Sequence, residues 1–589
     1  MNRKPLIFAL LVVGALALAG CGSSNPAIII QITNAPATLT ANQSVTLSAT
    51  VTNDPSTGNV NWSCTPSSSC GSFSPTQTAN GGTTTYTAPA AAGSVTIVAT
   101  DADHTGSTAS VTISIVAVGS NGQLTGNYVF FAQGTDLTGE PYFVEGTIVA
   151  DGNGNITSGE QDYVDESAAA GPDTVSGTYS ISQNGQGSVT LNVNDITLPS
   201  GGTETFSVAL TSATHGLVIE FDASATSSGT LDFQPTAAPI TAASIVGSYA
   251  FAVNGLDSSE SPAALGGVVS INASTGSVAS GTVFVNDSGS PQTVSVTGSV
   301  TGPDSFGRGT ISLSGLAYTY YAVQGEVLRT IEADADFLAG GAFYGQGTPG
   351  TNASFSNTSL AGTYAFFESG SSVNGSLAIA GQFTAASGNL SVGVADTNDG
   401  GTNEHGSIAA SPYTLAGNGS GSLTLPGGPS DTEDVSALLI FATDPTLNLL
   451  DPNNTTTGVG GALILDNDSN AVGTGLIVPQ ATGAFQGNYA VNLQFFPGAG
   501  GEEDFVGQST QSGGSFTGTV DLNDNLVTAS AVAFSGSTTA DSSNVGRYTG
   551  SFTVGANSYH ITYYQVNSGE FFLIDTDSGD VGNGFLQSQ

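Results

Sequence analysis

Four stretches of this chain repeat one pattern, and repetition at this period limits the fold more than any other feature. LTGNYVF (124–130), IVGSYAF (245–251), LAGTYAF (360–366) and FQGNYAV (485–491) each read apolar-x-Gly-x-Tyr-x-apolar. Their glycines, Gly126, Gly247, Gly362 and Gly487, recur every 115 to 125 residues. Later landmarks follow in the same order within each unit. A Gly-rich turn leads into a strand at GQGSVTL, GRGTISL, GSGSLTL and GRYTGSFTV. Another strand ends in acids at VIEFD, TIEAD and LIDTD, with NLLDP as a degraded third copy. The units close with GTLDFQ, GAFYGQ, GALILD and GFLQSQ, which sets the repeats at 119–238, 239–348, 349–480 and 481–589.

Each unit is expected to be a β-meander. Unit one reads as eight strands: NYVFFAQ, YFVEGTIVA, ITSGEQDYV, TVSGTYSIS, SVTLNV, ETFSVALTS, GLVIEFD and GTLDFQ. Eight antiparallel strands joined by short turns close into an up-and-down barrel or fold into a sandwich, and both stay open. The opening Gly-x-Tyr strand is similar to that of lipocalin- and avidin-type barrels, on too few residues to carry any ligand residue across. Its aromatic pairs (Tyr128, Phe130; Tyr249, Phe251; Tyr364, Phe366) lie at period two, which suits core packing. With 80 glycines, 9% charged residues and no helical periodicity, the fold class is all-β. The linkers GSNGQ, PTAAPITAA, GTPGTNASFSNTS and PQATGA suggest beads on a string.

Residues 27–118 stand apart. AIIIQIT, SVTLSATVT, NVNWSC, TTTYTAP, GSVTIVAT and ASVTISIV are short, β-branched and alternating, which suits an immunoglobulin-like sandwich. The strand rhythm, the Trp62–Cys64 strand and TTTYTAP resemble bacterial Ig-like domains of surface proteins. That resemblance implies a spacer or adhesive module without catalysis. The first 21 residues, MNRKPLIFALLVVGALALAGC, carry Arg3 and Lys4 before an apolar run too short to span a bilayer comfortably. Leu18-Ala19-Gly20-Cys21 resembles the lipobox of bacterial lipoproteins. This implies a signal peptide over 1–20, a lipid on Cys21 and a short tether over 21–26. Gly22 stands where an aspartate would signal inner-membrane retention, so the expected address is the outer membrane, facing periplasm or cell surface. With Cys21 taken by lipid in an oxidising compartment, Cys64 and Cys70 are left as a pair and are expected to form a disulfide.

The formal charge is −41, and only Arg308, Arg329 and Arg547 are cationic beyond Lys4. Such a chain repels phosphate backbones and anionic head groups, which excludes nucleic acid as a partner and leaves the N-terminal lipid as the membrane contact. Without lysine in the mature chain there is no Walker A lysine and no Schiff base.

Candidate chemistry is sparse. In VADGNGNITSGEQDYVDES (149–167), Asp151, Asn153 and Asn155 alternate like calcium ligands. The other units keep a Gly- or Asn-bearing turn there (INASTGSVASG, TAASGNLSVG, TQSGGSFTG) but lose the ladder, so a hairpin is preferred. Further on, each unit keeps an acid: Asp165, Asp287, Asp399 and Asp524, preceded in units two to four by Asn286, Asn398 and Asn523. These aspartates are read as turn caps, with a structural calcium ion as the one cofactor left open. The four histidines, His104, His215, His405 and His560, fall outside any catalytic motif and are read as surface or strand-end residues. Glu220 and Asp222 share a strand face, as do Glu332, Asp334 and Asp336, and a glycosidase needs only two carboxylates. The expectation is nonetheless a non-catalytic envelope protein for display, adhesion or ligand binding, its partner a polysaccharide or another surface protein. A polysaccharide hydrolase and a structural spacer are the rivals.

Overall fold

The computed structural model describes residues 26–589 except 37, 41–43, 57, 67–69, 90–92, 117–119, 167–168, 195–201, 237–239, 273, 333–336, 351–352, 428–436, 455–457 and 499. The signal segment, the tether through Cys21, and Asp334 and Asp336 lie outside the described residues. The chain is all-β, with a single 3₁₀ turn at Asn121–Gln123 and no α-helix among the described residues. It divides into two compact units, Met1–Val118 and Gly119–Gln589.

The first unit is a sandwich of two sheets. One is built from Ile29–Thr33, Ser44–Thr52, Thr83–Thr87 and Ser72–Ser74, the other from Thr38–Thr40, Thr108–Val116, Gly93–Asp101, Val60–Thr65 and Gln77–Thr78. Alternation in SVTLSATVT turns Leu47, Ala49 and Val51 toward Trp62, Tyr86 and Ile97. Cys64 and Cys70 are joined by a disulfide within this core.

In the second unit every repeat is an antiparallel eight-stranded barrel, which decides between barrel and sandwich. The first strand pairs with both the second and the last, as Tyr128 does with Ile148 and Phe233. The four opening strands are Thr125–Asp136, Gly247–Asp257, Gly362–Ser372 and Gly487–Pro497. Their inward Tyr and Phe join cores that fill each barrel, as expected of eight strands. The eight strands of the third barrel are ten segments because two are broken, Asn389–Leu390 with Gly393–Asp399 and Thr402–Ile408 with Ser411–Leu415. The other barrels carry register shifts in the same hairpin, between Ile156/Glu160, Val278/Gly281 and Val520/Leu522.

One landmark must be reassigned. The acid strand of the third unit is Ala462–Asp466, so Asp466 and Asp468 match Glu220 and Asp222, and its closing strand is Ala471–Pro479. NLLDP belongs instead to a connection over 443–461 that is longer than its counterparts.

The barrels are not beads on a string. They meet around a shared core with members from every repeat, including Val129, Tyr321, Ala365, Phe367, Leu449 and Phe572. Two polar devices carry each barrel to the next. The glutamine that ends each repeat donates its amide to main-chain carbonyls of its neighbour. Gln234 reaches Phe306 and Ala322 (3.0 and 2.8 Å), and Gln346 reaches Asn418 and Ala442 (3.0 and 2.7 Å). Gln480 reaches Gln565 (2.7 Å), and Gln589 returns to Asn184 and Leu210 of the first barrel (2.7 and 3.0 Å). The repeated Gly-rich turn exists for this contact. Gly185, Gly307, Gly419 and Gly546 have φ of 84°, 89°, 83° and 98°, and a Cβ on Gly307 or Gly419 would lie 2.3 Å from the incoming amide.

The second device is the asparagine before the shared aspartate. Asn286 donates to the carbonyls of Asp466, Asp468 and Ala471, Asn398 to those of Asp575 and Asp580, and Asn523 to those of Glu220, Asp222 and Ala225. The first barrel has Val164 there, packed against Ile331 of the second. Contacts that run head to tail and return to the start make a closed ring.

Candidate functional site

The outward faces of the opening strands meet at the ring axis. The third residue after the repeated glycine faces outward and is Val129, Ala250, Ala365 or Ala490, small enough for close approach, and all four are buried. Four residues further along the strands lie Gln133, Asn254, Ser369 and Gln494, and two further Thr135, Leu256, Ser371 and Phe496. These eight line a pocket of about 200 Å³ to which all four barrels contribute. No lining residue is charged.

The polar groups of this pocket are in two states. Gln494 Nε2 and Thr135 Oγ1 donate to the carboxylate of Glu502, at 2.6 and 2.9 Å. Glu502 is 1% exposed, and burial pushes its carboxyl up to about 8. The side-chain amides of Gln133, Asn254 and Asn583 make no hydrogen bond to any described residue. Just beyond the lining residues, in the first turns of barrels one and three, Leu137 and Val373 are 51% and 65% exposed.

The other end of the same strands is sealed. There Asp232, paired across from Val129, bonds His215 Nδ1 (2.7 Å) and Arg329 (2.7 Å), and His215 Nε2 meets Gln587 (2.8 Å). Gln587 donates to the Leu450 carbonyl (2.9 Å), so the network joins all four barrels. The long connection of the third unit plugs this end, with Leu447, Leu449 and Leu450 in the shared core and Asn453 donating to Thr214. Burial alone would lower the His215 pKa, but Asp232 raises it, and Arg329 and His215 hold the buried Asp232 carboxyl below its ordinary range. His215 stands at a strand end, as one of the two expected placements has it, but it is buried at 1% exposed rather than at the surface.

The other arginines serve seams as well. Arg308 of barrel two forks onto Asp162 of barrel one at 2.6 and 2.7 Å, with the Tyr321 hydroxyl at 2.7 Å. Arg547 of barrel four does the same to Asp396 of barrel three, joined by Tyr564. Register pairs Arg308 with Tyr321 and Arg547 with Tyr564, so the two seams are equivalent. At the intervening seams the ionic group is replaced by Phe284 against Phe441 and by Ser207 donating to Asp521.

The strand acids lie in these seams. Glu220 is fully buried, one oxygen accepting from Ser227, and burial, Asp222 and Glu204 raise its pKa well above the ordinary range. Asp222 accepts the main-chain N–H groups of Thr205 and Ser224. Asp151 accepts those of Asn153 and Asn155, closing the hairpin of the calcium-like stretch. The shared aspartates stand at strand ends. Asp287, Asp399 and Asp524 each open a two-residue turn whose central residues both have positive φ (Ser288 and Gly289, Gly400 and Gly401, Asn525 and Leu526), the hairpin form that matches strand twist. Asp399 also accepts from Ser372 and Asn374, and Asp165 follows the third strand of barrel one. None of the four belongs to a group of three or more metal-ligating side chains among the described residues. The one such group is Asp54, Asp101 and His104 of the sandwich, with His104 Nδ1 3.2 Å from Asp54 and 3.7 Å from Asp101. The axial pocket had no signal in the sequence beyond the alternation of the opening strands. Comparison with known protein families and with curated proteins finds no match.

Proposed function

We propose that this chain is a non-catalytic binding protein of the cell envelope, held by a lipid on Cys21, whose ligand enters the axial pocket of the barrel ring. The observation that carries this reading is the composite pocket itself, lined by all four repeats and free of charged side chains. Repetition then builds one site rather than four, so the gain is geometry and not avidity. Among the described residues no helix is long and apolar enough to cross a membrane, and the lipid supplies the anchor in this reading. The hydrolase reading is disfavoured because Glu220 is enclosed and Asp222 is committed to main-chain groups.

Two assays test the proposal. Fatty-acid labelling of cells should mark the wild-type chain and spare Cys21→Ser. Envelope polysaccharides should yield no new reducing ends with either wild type or Glu220→Gln/Asp222→Asn. Turnover by wild type that the double variant loses would establish the hydrolase instead.

A further inference from the structure

We propose that the axial pocket takes one neutral, polyhydroxylated ring, a terminal sugar residue of an uncharged glycan. This rests on the ligand-binding reading above and narrows it to a chemical class. The first argument is the state of the polar groups. Gln133, Asn254 and Asn583 face the pocket with amides that no described residue satisfies, and each amide offers donors and an acceptor. Asn583 is 8% exposed, and what its unbonded amide meets is the space of the pocket. Thr135 has given its one hydroxyl proton to Glu502 and Gln494 one of its two amide protons, which leaves both oxygens as acceptors and one Gln494 N–H as a donor. A ligand that satisfies all five must both give and receive hydrogen bonds at several points. Hydroxyl groups do this, each being donor and acceptor at once.

Charge narrows the class further. An anion would approach a chain of formal charge −41 and meet exposed acceptor oxygens. A cation would meet no carboxylate in the lining, because Glu502 is already held by Gln494 and Thr135. Phe143 and Phe496 add apolar faces for ring C–H groups. Size sets the length: about 200 Å³ is below the roughly 300–1,000 Å³ of drug-sized sites, so one ring is admitted and an extended oligomer is not. Two residues after the lining residues Thr135 and Ser371 the chain exposes Leu137 and Val373.

The test uses the full-length chain in detergent, with glucose, galactose, mannose and N-acetylglucosamine as probes and glucuronate and glucosamine as charged counterparts. Saturation-transfer NMR should show saturable binding of at least one neutral sugar. Its Kd should rise tenfold or more in Gln133→Leu/Asn254→Leu, and the signal should vanish in Ser371→Trp, which fills the pocket, while both variants keep the wild-type melting temperature. Absence of any neutral-sugar signal, preference for a charged sugar, or binding that survives both variants would overturn the proposal. Binding of the chain to purified envelope fractions separates the two levels. Loss of that binding in Ser371→Trp without a sugar signal removes the sugar class and keeps the pocket, whereas envelope binding unaffected by Ser371→Trp removes both.

Discussion

Arg308, Arg329 and Arg547 are the only cations beyond Lys4, and all three bridge barrels. A guanidinium suits this use because its fork meets a carboxylate at two points and cannot lose its proton. Removing one member of a buried pair leaves the other uncompensated. Arg329→Met should therefore cost about 3–5 kcal/mol, read as a lower denaturant midpoint for the ring, and the double variant Arg329→Met/Asp232→Asn should cost less because it also removes the charge left behind. The remaining acids set the pH dependence. Burial pushes Glu160, Glu502 and Asp575 up to about 8, and Glu204 and Glu503 to about 7. Their folded values lie above the unfolded ones, so from about pH 4.5 to 8 the native state holds more protons and stability falls as pH rises. His215, raised in the fold, works in the same direction: its contribution is present below its unfolded value and is lost as pH climbs through the folded one. Asp232 and Asp396, lowered in the fold, act oppositely and lose their contribution only in strong acid. The melting temperature should be higher at pH 5 than at pH 8, and Glu160→Gln/Glu502→Gln should flatten the difference.

At the scale of elements, one strand end does two things. In Asn523-Asp524 the aspartate opens a hairpin turn inside its own barrel, and the asparagine reaches three carbonyls of the next. The recurring Asn-Asp pair was legible in the sequence as a turn, and the neighbouring barrel that Asn523 serves was not. Asn523→Ala should cost about 1–3 kcal/mol, because buried carbonyls lose their donor, whereas Asp524→Ala should cost less than 1 kcal/mol on an exposed turn. Hydrogen exchange should place the Asn523→Ala effect on both the fourth and the first barrel. The reassigned third unit makes the same point. LILDND and NLLDP both end in acids, and pattern alone took the wrong one; only the ladder of Ala437–Ala442 with Ala462–Asp466 identifies the strand.

For the whole molecule, ring closure couples repeats that are separate in sequence. Gln589, the last residue, is bonded to the first barrel, and the shared core draws on all four. Calorimetry of the intact chain should show Gly119–Gln589 unfolding in one transition, distinct from that of the sandwich. Residues 119–238 alone would expose Val129, Ile219 and Phe131, so the isolated barrel should melt well below the ring and self-associate on size exclusion. Four independent transitions at similar temperatures would show instead that the barrels fold alone.

Strand number, the inward face of each opening strand and the positions of the tight turns were determined by the sequence by itself, because alternation and turn chemistry are local properties of a chain. The ring, its plugged end and its open axial pocket were decided only by tertiary structure. The outward residues Gln133, Asn254, Ser369 and Gln494 read as ordinary surface at any of their four places in the sequence. They become one site because four barrels turn the same face to a common axis, and the relative orientation of folded units leaves no period in the chain.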